Sequence, residues 1–131
     1  MGRLADKTAV ITGAASGFGA GIARRFVEEG ARVLIADINE SGARDIAASL
    51  GDSADYCRTD VTQASDVAAM CQAALSMSEK VEILVNNAGV THFPGGLETI
   101  PEDEFDRVVN VNMRAVYLTS RTFVPLMKAQ G

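Results

Sequence analysis

Apolar residues along this chain alternate between two rhythms. Short runs rich in β-branched residues read as buried strands: Thr8 to Thr12 (T-A-V-I-T), Arg32 to Ala36 (R-V-L-I-A) and Val81 to Asn86 (V-E-I-L-V-N). Ala54 to Arg58 is a weaker run of the same kind. Between them the apolar positions recur at helical spacing. Phe18, Ile22, Phe26 and Val27 share one face of a helix over Gly17 to Glu29, which Gly30 ends. A second helix is expected over Asn39 to Leu50, with Asn39 as its cap and Gly51 as its stop. Thr62 is expected to cap a third, running to about Met77 and carrying Val67, Met70, Cys71 and Leu75 on its apolar stripe. After a loop with Pro94, Gly95 and Gly96, Pro101 opens a long helix from about Glu102 to Lys128, bent near Pro125. Strand and helix thus alternate four times, the pattern of βαβ units on a parallel sheet.

Composition narrows the classes. The 131 residues are 47% hydrophobic and 22% charged, enough for one domain with a real core and too apolar for disorder. No apolar run approaches the roughly 20 residues of a membrane span. The opening M-G-R-L-A-D-K has no apolar signal core, so a cytoplasmic location is expected. Twelve basic residues against 17 acidic ones leave a net charge of -5, and no basic face suggests nucleic acid. The expected partner is a small molecule or another protein. Cys57 and Cys71 lack C-x-x-C spacing and read as reduced, buried thiols, with no metal site expected.

The candidate chemistry lies in the turns. Thr12-Gly13-Ala14-Ala15-Ser16-Gly17-Phe18-Gly19 follows a strand and opens a helix. Its glycines allow a tight turn and close backbone approach, and the helix start offers free N–H groups to a pyrophosphate. A glycine triplet alone is equally a tight strand-to-helix turn. Asp37, at the end of the second strand, adds a carboxylate able to accept both hydroxyls of an adenosine ribose. Its bland alternative is a solvated acid at a strand end.

With these residues in place the sequence resembles the short-chain dehydrogenase/reductase family. T-G-x-x-x-G-x-G stands at Thr12 to Gly19, Asp60-Val61 follows the third strand, and Asn86-Asn87-Ala88-Gly89 follows the fourth. Phe105 to Met113 (F-D-R-V-V-N-V-N-M) looks like the family's helix carrying an active-site asparagine. The resemblance implies a Rossmann-type, doubly wound α/β/α sandwich with strand order 3-2-1-4. It implies that Gly13, Ser16, Gly17, Phe18 and Gly19 cradle the pyrophosphate and its ribose. Asp37 would hold the adenosine ribose with Ile38 beside the adenine, and Asp60 the adenine amino group with Val61 alongside. Asn87, Ala88 and Gly89 would line the ribose region, while Asn86 ties neighbouring strands together. Asn112 would hold the water that links a catalytic lysine to a proton relay.

Read without the family, several of these residues have plainer roles. Asp60 would cap the helix that follows, Asn86 and Asn87 would be turn residues, and Asn112 would be a surface residue in a helix. His92, the single histidine, would be a solvated loop side chain.

The implied activity is hydride transfer between an alcohol or ketone and a nicotinamide cofactor. NAD is expected over NADP, because Asp37 stands at the ribose position and no Arg or Lys stands at Ala14, Ala15, Ser16 or Ile38. The family's Y-x-x-x-K is missing: four residues after Tyr56 and Tyr117 stand Asp60 and Arg121. The chain therefore reads as a single NAD-binding domain over residues 1–131, cut before the catalytic Ser and Tyr-x-x-x-Lys segment. The alternative is a non-catalytic dinucleotide-binding or interaction fragment. Phe105, Val108, Val109, Val116, Leu118, Phe123 and Leu126 spread over more than one helix face. Together with the resemblance, they point to a homo-oligomer, dimer or tetramer, in the full-length form.

Overall fold

The computed structural model describes residues 2–131. β1 (Thr8–Thr12), β2 (Arg32–Asp37), β3 (Ala54–Arg58) and β4 (Ile83–Val85) form one parallel sheet in the order β3-β2-β1-β4. The expected order is therefore found. β1 is buried at every residue, as the unbroken T-A-V-I-T run requires of a strand covered on both faces. β4 is shorter than the V-E-I-L-V-N run suggested and only half-buried, because its pairing to β1 begins at Ile83.

Side-chain alternation sorts the core into two layers. Ala9, Ile11, Val33 and Ile35 face α1 (Gly17–Glu28) and α2 (Glu40–Leu50), where Ala23, Ala43 and Ala47 let the helices lie close to the sheet. Val10, Leu34 and Ala36 face α3 (Ala64–Met77) and α5 (Ala115–Gln130), against Val67, Met70, Leu118 and Phe123. The result is the expected three-layer α/β/α sandwich.

Three expectations are corrected. Thr62 does not cap α3: Gln63 precedes it without a side-chain cap, and Thr62 bonds back to Asp60. Cys71 is buried, and burial pushes its thiol pKa up, but Cys57 on edge strand β3 is only half-buried. The long helix is not continuous. α4 (Glu102–Val109) passes into a π-helical turn at Asn110–Arg114 before α5 resumes and runs through Pro125 to Gln130.

That turn re-aims the apolar residues that the sequence places on more than one face. Leu118 and Phe123 enter the core, whereas Phe105, Met113, Val116, Tyr117 and Val124 stand exposed. Phe123→Ala should thus cost about 3–5 kcal/mol, the usual range for a fully buried phenylalanine, in denaturant unfolding. Phe105→Ala should cost under about 0.5 kcal/mol. Equal losses for the two would contradict this division of the helix.

Candidate active site: a cleft at the carboxyl ends of the strands

The carboxyl ends of β1 and β4 are joined by one hydroxyl. Thr12 is buried, and its Oγ1 donates to the Val85 carbonyl at 3.4 Å. The same oxygen accepts the N–H groups of Asn87 at 3.1 Å and Ala88 at 3.0 Å. Asn87 completes the tie, its Nδ2 donating to the Thr12 and Gly13 carbonyls at 3.1 and 3.0 Å. The segment after β4 is thereby fixed against the glycine turn.

Asn87, not Asn86, joins the strands. The Asn86 carboxamide oxygen instead accepts the Thr119 hydroxyl at 2.7 Å and so anchors α5. Asn86 and Asn87 are neighbours with the same side chain, and only the three-dimensional register assigns each its partner.

The turn needs its glycines for different reasons. Gly17 sits at φ 57°, and, its chain neighbours and its own helix backbone aside, no atom of the described residues lies within 4 Å of the place a Cβ would occupy, so this backbone faces open space. Gly19 is buried; a Cβ there would overlap the Gly13 carbonyl oxygen and stand 2.5 Å from Asn87 Nδ2. Gly19 thus allows close packing of α1 and does not line the cleft.

α1 begins bare. Ser16 makes no side-chain cap, and no acid stands in the first turn. By contrast α2 is capped by Asn39 and carries Glu40, α3 carries Asp66, and α4 carries Glu102, Asp103 and Glu104. The positive end of α1 therefore remains uncompensated, a ready site for an anion.

In front of it lies a cleft of about 640 Å³. Of the residues expected from the sequence, Gly13, Ser16, Phe18, Asp37, Ile38, Asp60, Val61, Asn87, Ala88 and Gly89 line it. Phe18 and Ile38 are 90% and 59% exposed, apolar surface on offer at the rim. The Asp37 carboxylate is held by the N–H groups of Ala15 at 3.0 Å and Asn39 at 2.9 Å. Asp60 Oδ1 accepts both the N–H and the hydroxyl of Thr62, at 3.0 and 2.7 Å, closing a local turn before α3.

Asn112 stands behind the cleft wall and does not line the cleft itself. Its carboxamide grips the backbone of Val90 at both ends, accepting the N–H at 2.8 Å and donating to the carbonyl at 2.8 Å. Sequence reading missed Thr59, Thr62, Val90, Arg107, Asn110 and Val111, which complete the lining. Asn110 and Val111 belong to the π turn, which no helical periodicity reveals. Arg107 donates to the Thr91 carbonyl at 2.9 Å and to Glu104, whose carboxyl its guanidinium holds below the usual range. His92 stays in the exposed loop.

A bare helix start, an opposed carboxylate and apolar rims in a cleft of this size fit a nucleotide with a diphosphate. Comparison with known proteins agrees. A family model described as short chain dehydrogenase matches residues 7–131. The chain belongs to the short-chain dehydrogenase/reductase family.

Among relatives, it is 40% identical over its whole length to the uncharacterized oxidoreductase YxbG of Bacillus subtilis, covering 49% of that protein. It is 39% identical to the 2,5-dichloro-2,5-cyclohexadiene-1,4-diol dehydrogenase LinX of Sphingobium indicum, covering 98% of this chain and 52% of LinX. The chain spans about half the length of the curated relatives it matches.

Among solved structures, 3-ketoacyl-(acyl-carrier-protein) reductase from Brucella melitensis, complexed with NADH, superposes with a TM-score of 0.95 at 47% identity. The match covers 97% of this chain and 52% of that one. A short chain dehydrogenase/reductase from Burkholderia phymatum in complex with NAD gives 0.93 at 35% identity, over 99% and 47% of the two chains.

Thr12→Val tests the hydroxyl tie. Valine keeps the shape but removes the acceptor of the Ala88 N–H. We expect a loss of about 1–3 kcal/mol in unfolding free energy, the penalty for a buried polar group left unpaired. A variant as stable as the parent would show that the tie is dispensable.

Proposed function

We propose that the protein carrying this chain is an oxidoreductase that moves a hydride between an alcohol or ketone and NAD, with NADP the poorer cofactor. The observation that carries the cofactor preference is the position of Asp37. Its carboxylate lines the cleft, fixed from behind by two backbone N–H groups, and presents negative charge where an adenosine ribose would lie. A 2′-phosphate about 4 Å away would be repelled by about 4 kcal/mol at an effective dielectric of 20. If screening leaves only a third of that, the discrimination is still about tenfold.

The nicotinamide ring, when bound, supplies the carbon that donates or accepts the hydride. The residues of this chain bind and orient. The start of α1 receives the diphosphate, with Ser16 and Phe18 at its edge. Asp37 and Ile38 take the adenosine ribose and one face of the adenine, and Asp60 and Val61 the other side of the base. Asn87, Ala88 and Gly89 floor the second ribose. Asn112 is assigned the positioning of Val90, directly after Asn-Asn-Ala-Gly. The water contact implied by the family would then fall to a main-chain group of the π turn, because both ends of the carboxamide are engaged.

The missing Tyr-x-x-x-Lys favours a second reading for these 131 residues taken alone, that of a nucleotide-binding unit without its acid–base pair. In the whole protein, the exposed row of Phe105, Met113, Val116 and Tyr117 on the α4–α5 rod suits packing against a second copy. A cytoplasmic, reducing compartment suits the two thiols.

Two outcomes are expected. Binding titrations should give a dissociation constant for NAD at least about tenfold below that for NADP, and equal constants would overturn the preference. Light scattering should show a dimer or tetramer of the full-length protein that Val116→Asp weakens; a stable monomer before any substitution would remove the interface.

A further inference from the structure

The layer between the sheet and α1 and α2 contains register partners: Val33 beside Ala54, then Ile35 beside Tyr56. Paired residues of parallel strands share a face, and every second residue returns to it. The next pair in the row is Asp37 beside Arg58. Neighbouring strands lie about 4.8 Å apart, so a long, flexible cationic side chain starts one strand away from the carboxylate at the ribose end of the cleft.

Among the described residues the two do not bond to each other. Asp37 is occupied by the N–H groups of Ala15 and Asn39. Arg58 Nη1 donates instead to Asp66 Oδ2 at 3.1 Å. That same oxygen accepts the N–H of Asp60 at 2.8 Å, and Asp60 lines the cleft. Arg58 is thus parked on an anchored carboxylate at the adenosine end of the site. Its side chain is 49% exposed, and an ion pair of that kind is weak and easily exchanged. A phosphate monoester, with more charge and several acceptor oxygens, is a better guanidinium partner than one shared carboxylate oxygen.

We infer that Arg58 is a second specificity residue of the cleft, a 2′-phosphate ligand kept out of use by Asp37 and Asp66. While Asp37 is present, the site selects an unphosphorylated ribose. Once that carboxylate is removed, Arg58 leaves Asp66 and binds an adenosine nucleotide phosphorylated at the 2′ position. The inference rests on the dinucleotide reading proposed above and adds to it a latent phosphate ligand from the neighbouring strand.

Calorimetric titration with 5′-AMP and with adenosine 2′,5′-bisphosphate tests it without any turnover. The parent should prefer 5′-AMP. Asp37→Ser should reverse the preference. Adding Arg58→Met to Asp37→Ser should lower affinity for the bisphosphate about tenfold or more while leaving 5′-AMP binding in place. Arg58→Lys in the same background should restore part of the loss. A cooperative thermal unfolding transition reports that each variant is folded, since removing Asp37 also removes a ribose contact of 5′-AMP. If the parent binds 5′-AMP, the variants unfold cooperatively and Arg58→Met leaves the bisphosphate affinity of the Asp37→Ser protein unchanged, the role of Arg58 is wrong and the dinucleotide reading stands. If folded parent protein binds neither nucleotide, both fall together.

Discussion

The cleft depends on the tie between the carboxyl ends of β1 and β4. A parallel sheet ends in a row of chain reversals, and nothing in the sheet's hydrogen bonding fixes how those reversals sit against one another. Here one buried hydroxyl, Thr12 Oγ1, and one carboxamide, Asn87, share five bonds across that gap. They leave the Gly13 carbonyl turned inward and Gly19 packed flush, so α1 starts close beneath the cleft with its N–H groups directed outward. A looser join would let the turn and the Asn-Asn-Ala-Gly segment drift apart, and the anion site would lose its floor.

Charge is distributed around that join with a consistent sense. The chain carries a net charge of -5, and acids stand in the first turns of α2, α3 and α4. α1 alone among these four helices has neither acid nor side-chain cap. An anion approaching the cleft therefore meets one uncompensated positive helix end inside an acidic protein. At the other end of the cleft Asp37 sets the opposite bias, and the two together are what the proposed preference for an unphosphorylated adenosine ribose rests on. Acid would not readily disturb the loop beside it: Glu104, its carboxyl held low by Arg107, keeps its ion pair at the pH of ordinary carboxylates and releases it only as pH falls further.

The strands and the first two helices were legible because short β-branched runs and single apolar stripes have few other solutions. Thr12–Gly19 and Asp37 were legible for a related reason: special backbone and a strand-end carboxylate occur at positions the alternating pattern already marks. What escaped depends on contacts between distant segments. A π turn adds a residue to one helical turn, and it shifts every later side chain relative to the apolar stripe of α4. That shift sent Asn112 to the Val90 backbone and brought Asn110 and Val111 to the cleft. The exchange of roles between Asn86 and Asn87 is likewise a matter of which neighbour lies on which side. Arg58 escaped a scan for cations near the ribose because it is close to Asp37 across the sheet and far from it along the chain.

The proposed dinucleotide site is one cleft, floored by the Thr12–Asn87 tie, with the diphosphate on the start of α1. Amide chemical shifts of ¹⁵N-labelled protein, followed as NAD is added, test this most directly. Saturable shifts should concentrate at Gly17, Phe18 and Gly19, with further changes at Ile38 and Val61, while Gly42 at the capped start of α2 moves little. Saturable binding that left the α1 amides unmoved, or shifts clustered on another helix start, would contradict it.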